Sequence, residues 1–416
     1  MKGRSDMNFA IENGRGGIGA PDKLFGVSAR AKERIAQIGK ENVIDSTIGV
    51  LLDDDGKLAV LDSVDKCVKA LTPDDYAPYA PILGTEEYIS AVKKAVFMDS
   101  MPDTPVEACY TPGGTGAIRN AISAYTKPGD KVLTSDWHWS PYKTISEEIG
   151  RKLTTYTLFD ENNRFNSASF KEELEAVLKD QGRVLVIINT PAHNPTGYTF
   201  SLEDWDQVLN VCAAQAPAKI VILTDIAYMD FAGDAAENRR FLKKLETAPS
   251  NVLPLIAFSG SKGYTMYGMR CGALICMAPD EETAKEFKDV MRIECRGSWS
   301  NGNRAAMSVI AGIFSDRELF ENVKKERDHY MDMLAKRGRA FMERAKAEGL
   351  SVCPYCAGFF VTIPCENAEK AGLELQKHNI FTIPIGKGIR VSVASNTEEE
   401  CRIMPAEIKA AIESCK

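Results

Sequence analysis

Apolar residues recur along this chain in two periods, and the periods alternate. Val27, Ala31, Ile35 and Ile38 fall on one face of a helical wheel, which predicts a helix over Val27–Gly39. Val43–Leu52 reads as a strand and ends in the turn signal Asp53–Gly56. Val60–Leu71 predicts a helix, Tyr76–Gly84 a proline-broken loop, and Glu86–Met98 a further helix. From about residue 105 the rhythm becomes regular. Gly113–Gly116 opens a helix over Ala117–Tyr125, Lys131–Thr134 is a strand leading into Trp137–Ser140, and Lys152–Leu158 is a strand followed by a helix over Ser169–Lys179. Arg183–Asn189 is a strand running into Thr190–Gly197. Ser201–Gln215 is a helix whose Ser201 and Asp204 are spaced for a capping box. Lys219–Thr224 is a strand ending at Asp225–Tyr228, and the short apolar runs Leu255–Phe258 and Ala273–Met277 read as buried strands. Strands alternating with helices imply an α/β fold, its mainly parallel sheet sandwiched by helices.

The later chain is more helical. Glu281–Arg292, Arg304–Phe314 and the long, charged Arg317–Glu348 read as helices, the last suited to join two domains. Phe359–Ile363, a helix near Ala368–His378, Ile389–Val393 and a final helix near Thr397–Cys415 predict a small α+β domain. With 416 residues, 44% of them hydrophobic, the chain can bury a large core in two domains. A net charge of −7 with no basic stripe argues against nucleic acid as a partner. The first thirty residues lack an apolar signal core and the longest apolar runs are too short to span a bilayer, so the reading is a soluble, cytoplasmic protein with no membrane partner. Eleven cysteines without framework spacing read as reduced thiols. Cys353-Pro-Tyr-Cys356 has redox spacing, but it precedes a strand instead of opening a helix. No histidines complete a metal site beside it.

The candidate chemistry collects at one kind of address. Gly113, Gly114 and Thr115, Trp139, Asn194, Asp225, and Ser259 to Lys262 each lie at or just after the carboxyl end of a predicted strand, where open α/β sheets bind ligands. Lys262 stands alone among hydroxyls and glycines, and a lysine amine is a covalent catalyst when it forms a Schiff base with a carbonyl. Ser259, Ser261 and Arg270 can hold a phosphate beside it. A carbonyl and a phosphate together point to pyridoxal phosphate. Gly114–Gly116 offers backbone N–H groups at a helix N-terminus, an anion site. Asp225 suits a protonated pyridine nitrogen. Tyr228 and Asn194 can donate hydrogen bonds to a phenolate oxygen, and Trp139 can stack on a planar ring. Arg390 interrupts an apolar strand, and a buried guanidinium wants a carboxylate, which a substrate supplies. Each residue has a plainer reading as well: a surface lysine in a glycine-rich loop, a turn-forming Asp or Asn, a core Trp, an edge-strand arginine.

Read jointly, Asn194-Pro-Thr-Gly197, Asp225-x-x-Tyr228, Ser259-x-Ser-Lys262 with Arg270, and Arg390 resemble the class I, fold-type I pyridoxal-phosphate-dependent aminotransferases, specifically the aspartate and aromatic amino acid branch. Tyr79-x-Pro-x-x-Gly84, Gly114-Thr-Gly-Ala117, Asp45–Gly49 and Arg296-x-x-Trp-Ser-Asn301 match more weakly, and the motifs run in family order over nearly the whole chain. The resemblance implies a large cofactor-binding domain over residues 55–325 and a small domain from both chain ends, 1–54 and 326–416. It implies transamination between an amino acid, aspartate or aromatic, and a 2-oxo acid such as 2-oxoglutarate. Lys262 would carry the cofactor covalently and move the substrate's α-proton. The resemblance further implies an intertwined homodimer with shared sites, Tyr79 reaching the neighbouring subunit's cofactor phosphate and Gly49 approaching the substrate. Arg296 would enter the partner's pocket to meet a substrate side-chain carboxylate. Two departures, Tyr142 where histidine is frequent and Gly302-Asn303 where two prolines are common, are expected to flank the substrate pocket. A lyase or decarboxylase on the same cofactor and a non-catalytic cofactor-binding regulator are the competing readings. The latter lacks a basic segment or room for a partner module, and no strand-linked G-x-G-x-x-G supports a dehydrogenase.

Overall fold

A computed structural model describes residues 23–415, so the first part of the expected small domain, residues 1–22, lies outside the described residues. Strand β1 (Ile44–Asp45) stands apart from a central seven-stranded sheet made of β2 (Val106–Pro112), β3 (Lys131–Ser135), β4 (Lys152–Tyr156), β5 (Arg183–Asn189), β6 (Lys219–Asp225), β7 (Val252–Ser259) and β8 (Cys271–Met277). The spatial order is β2-β8-β7-β6-β5-β3-β4. Pairs β7–β6, β6–β5, β5–β3 and β3–β4 are parallel, while β8 runs antiparallel to both β7 and β2. Every strand of this sheet except β8 therefore points the same way, and six carboxyl ends open on one edge. The apolar runs explain the arrangement. Val184–Ile188 and Ile220–Leu223 are buried on both faces, as a helix-covered parallel sheet requires. Separate apolar cores fill the two sides. One contains Val186, Trp205 and Ile256, and the other Leu185, Leu223 and Phe287.

Helix Arg317–Glu348, 32 residues long, leaves this layer and packs on helix Glu398–Ser414 beside the three-stranded antiparallel sheet β11 (Ile383–Pro384), β12 (Gly388–Ser392) and β9 (Phe360–Pro364). Strand β10 (Ile380–Phe381) pairs in parallel with β1, so a segment near the amino end joins the carboxyl-terminal layer. A third core, including Leu51, Phe341, Val361 and Met404, lies there. No helix among the described residues is long and apolar enough to cross a membrane.

Three local expectations need correction. The predicted strand Val43–Leu52 pairs only at Ile44–Asp45. Beyond it Ser46 and Leu52 still donate to the backbone of Phe381 and Ala394, but the middle of the segment bonds to side chains: Thr47 O accepts from Arg390, Gly49 O from Lys262, and Leu51 N donates to Tyr267 Oη. Helix Glu281–Ser298 continues past its predicted end at Arg292. Helix Pro141–Glu148 was not expected, because eight residues burying only Tyr142, Ile145 and Ser146 are too few to write an apolar stripe.

Candidate active site

The carboxyl edge of the sheet, the Ser46–Leu51 segment and strands β9 and β12 enclose a cavity of about 300 Å³. Of the expected residues, Gly49, Gly114, Thr115, Trp139, Asn194, Asp225, Tyr228, Ser259, Ser261, Lys262, Arg270 and Arg390 line it. Strand β7 ends at Ser259 and the chain turns at once into the single helical turn Gly260–Gly263, which aims Lys262 inward. Its Nζ donates to Gly49 O at 2.5 Å and lies 4.8 Å from the Tyr267 ring centre. Burial, then the positive fields of Arg390 and Arg270, lower the Lys262 pKa to about 7. A neutral amine is therefore available near neutral pH. Gly49 leaves room for the Phe360 ring, since an added Cβ would sit 2.7 Å from Phe360 Cζ and one of the two would have to shift.

An anion-holding corner lies beside the lysine. Helix Gly113–Tyr125 begins there, presenting its free N–H groups. Arg270 Nη1 donates to Ser261 Oγ at 3.1 Å, and Ser261 N donates to Ser259 Oγ at 3.3 Å. Gly113, in the left-handed region at φ 71°, leaves space for the Arg270 guanidinium, since a Cβ would come within 2.5 Å of Nη2. It stands behind the arginine and off the cavity wall.

The opposite side holds buried charge. Asp225 accepts from Tyr142 Oη at 2.6 Å and from Ala227 N at 3.1 Å, and burial raises its pKa in spite of both bonds. Asn194, positioned by a 2.6 Å bond from its N to Asn189 Oδ1, donates to Tyr228 Oη across a long 3.4 Å. Arg390 lies over the Phe360 ring at 4.3 Å and donates to Thr47 O at 2.9 Å. Its Nε is buried without a partner, and burial lowers its pKa to about 10. No carboxylate among the described residues pairs with Arg390, an arrangement that is unfavourable unless a ligand supplies the anion.

The sequence model for class I and II aminotransferases matches residues 41–408. The chain belongs to this family. An aspartate aminotransferase of Pseudomonas aeruginosa is 28% identical over 311 residues, 73% of this chain and 76% of that one. An aromatic-amino-acid aminotransferase of the same organism is 29% identical over 292 residues, 66% of this chain and 69% of the relative. Among solved structures, an aminotransferase from Anaerococcus prevotii superposes with a TM-score of 0.94 at 35% identity, covering 99% of this chain and all of that one. An aromatic-amino-acid aminotransferase from Burkholderia pseudomallei, covalently bound to pyridoxal phosphate, shares the fold with a TM-score of 0.78 at 22% identity, covering 95% and 98%.

The cavity of this aminotransferase fits pyridoxal phosphate on its own geometry. The helix N-terminus with Ser259, Ser261 and Arg270 has the donors a phosphate needs, Asp225 has lone pairs to spare for a cationic ring nitrogen, and Lys262 offers the amine an aldehyde would meet. Two expected residues lie elsewhere. Tyr79 is 88% exposed. Arg296 sits in the last turn of helix Glu281–Ser298, not in a loop, exposed and donating to Ser300 Oγ at 2.7 Å. Neither departure from the family pattern lines this cavity itself. Tyr142 lies behind Asp225. Gly302 packs against the Tyr110 ring, and Asn303 caps helix Arg304–Ser315 by accepting from Ala306 N at 3.2 Å. Cys353 is buried and Cys356 exposed ahead of β9. The sequence reading missed Asn189, Tyr267 and Phe360 as wall residues. Tyr267 was within reach, five residues past Lys262 in the same stretch.

Proposed function

We propose that the cavity around Lys262 is the catalytic centre of this aminotransferase. One observation supports the reading above the rest. Lys262, Asp225 and Arg390, carried by three distant elements, meet in a single cavity, and none has a charged partner among the described residues. Pyridoxal phosphate, when bound, supplies an aldehyde and an electron-withdrawing ring for transamination. Ser259, Ser261, Arg270 and the backbone of Gly114 and Thr115 would hold the phosphate. Asp225 would keep a proton on the ring nitrogen, Tyr228 and Asn194 would hydrogen-bond the phenolate oxygen, and Trp139 would cover one ring face. Arg390 orients the substrate through its α-carboxylate. Lys262, neutral at physiological pH in a fraction of molecules, would take the proton from the substrate α-carbon and deliver it to the carbon that carries the cofactor's aldehyde. Gly49 keeps the wall opposite the lysine open.

The substrates in this reading are an amino acid, aspartate or aromatic, and a 2-oxo acid such as 2-oxoglutarate. Residues 55–325 form the large domain, and 1–54 with 326–416 the small one. The enzyme is a cytoplasmic homodimer in which Tyr79 and Arg296 serve the partner's site. Their outward exposure supports that assignment. The test is a panel of amino acids paired with 2-oxoglutarate, run on wild type and Lys262→Ala. Acidic or aromatic donors should lead the panel. The variant should lose at least about a hundredfold in rate, the low end of what a positioned base contributes. Wild-type turnover in Lys262→Ala would overturn the assignment.

A further inference from the structure

Tyr142 makes no contact with the cavity, yet it is fully buried and its hydroxyl ends on the carboxylate that the cavity depends on. The phenol donates to Asp225 Oδ2 at 2.6 Å, while the other oxygen, Oδ1, accepts from Ala227 N at 3.1 Å. Each carboxylate oxygen thus has one donor from the protein, and the remaining lone pairs are left for what enters the cavity. The ring is held on several sides. It meets Trp139 edge-on, with centroids 5.5 Å apart and planes at 88°, and lies nearly parallel to His138 at 6.5 Å. Its backbone N donates to Trp139 O at 3.0 Å, and Ser146 Oγ donates to its carbonyl. One side chain therefore braces two cavity walls, Asp225 and Trp139.

We propose that Tyr142 is a positioning residue that fixes the Asp225 carboxylate and favours its charged form against burial, so that the cofactor's ring nitrogen keeps its proton. The inference rests on the role proposed for Asp225. Its chemistry follows from the donor. A phenol that is neutral and far from ionising gives a hydrogen bond and no positive charge. All charge compensation at Asp225 must then come from the ring nitrogen, and the phenol's part is to stabilise the anion. Without the hydroxyl, buried Asp225 keeps one protein donor, and its affinity for a proton rises. The proton shared with the ring nitrogen shifts toward the carboxylate, leaving a neutral pair. A purely structural Tyr142 would act only through the packing of its ring under Trp139, and Tyr142→Phe preserves that packing.

The experiment compares wild type, Tyr142→Phe, Tyr142→His and Asp225→Ala as holoproteins. It reads the ¹⁵N shift of labelled cofactor's ring nitrogen, the cofactor dissociation constant, and kcat and KM. The ring nitrogen should shift toward its unprotonated value in Tyr142→Phe. Cofactor affinity and kcat should each fall about tenfold to a hundredfold, the size expected for one hydrogen bond to a charged group, with KM changed little. Tyr142→His, which restores an N–H donor, should recover part of the shift. A Tyr142→Phe protein with wild-type nitrogen shift and affinity, beside an Asp225→Ala protein that has lost both, would overturn the role of Tyr142 alone. Wild-type values in Asp225→Ala would overturn the Asp225 assignment and this inference with it. Should Tyr142→Phe lose thermal stability while its ring nitrogen stays protonated, the residue is a packing element and the proposal fails.

Discussion

Lys262 shows how much of the chemistry is set around one side chain. Its amine is enclosed by the Tyr228, Tyr267 and Phe359 rings and faces two arginines, and its pKa falls from 10.5 to about 7. The thermodynamic consequence has a definite sign. In the folded protein the group releases its proton near 7, whereas the unfolded chain holds it to about 10.5. Between those values the unfolded state binds more protons, so stability rises with pH across the window. Below about 7 both states are protonated, and the whole penalty of enclosing the charge is present. Replacing the amine by an apolar chain removes the penalty. Cofactor-free Lys262→Met should therefore be more stable than cofactor-free wild type at pH 6, with the difference shrinking toward pH 10. Urea denaturation at the two pH values checks this, and an equal difference at both would contradict a depressed lysine pKa.

At the scale of elements, a buried ion cluster joins the catalytic turn to the long helix. Asp230, in the 3₁₀ turn Met229–Phe231 after β6, pairs with Arg239 at 2.9 Å and with Arg327 of helix Arg317–Glu348 at 3.2 Å. It also presses on the turn that carries the lysine, since a Cβ on Gly263 would lie 2.2 Å from Asp230 Oδ2. Burial alone would raise the Asp230 pKa, but Arg327 and Arg239 together bring it below the ordinary carboxylate value. Its stabilising contribution is thus present at neutral pH and lost only on acidification below the usual aspartate range. Asp230→Asn leaves two buried guanidinium groups short of an anion and should cost about 3–5 kcal/mol. Ser201→Ala removes a helix cap that accepts from Asp204 N at 3.1 Å, and should cost only about 1 kcal/mol. Equilibrium unfolding of the two variants tests the ranking.

For the whole molecule, the predictions concern what one chain leaves open. Tyr79 and Arg296 are exposed on a single protomer, although their motifs belong with site residues in the family this chain resembles. The proposed shared-site homodimer predicts that mixing inactive Tyr79 and Lys262 variants after dissociation restores activity, because one site of each hybrid is intact. No recovery with hybrids shown to form would argue for independent sites. Arg296→Ala should lower kcat/KM for aspartate about thirtyfold to several-thousandfold, the range for truncating one member of a desolvated charge pair of roughly 2–5 kcal/mol. Phenylalanine should be spared. Paired kinetics on the two substrates decide it: equal losses would reject a side-chain carboxylate role for Arg296.

Elements with a long or unbroken pattern were legible in the amino-acid order alone. Strand Arg183–Asn189 and helix Arg317–Glu348 begin and end where their patterns do, and the capping box at Ser201 forms as spaced. The strand-end address of the lysine, aspartate and glycines was legible too, because a parallel sheet places all such ends on one edge. The contacts that make the cavity work were not. Gly49 accepts from a lysine 213 residues away, and Tyr142 donates to an aspartate 83 residues away. Local periodicity reports which face a residue shows, and carries no information on which distant backbone that face will meet. For the same reason Val43–Leu52 read as a strand. Its apolar residues are those of a strand, but in its middle Thr47, Gly49 and Leu51 bond to the side chains of Arg390, Lys262 and Tyr267, brought beside it by the packing of the carboxyl-terminal layer against the sheet edge.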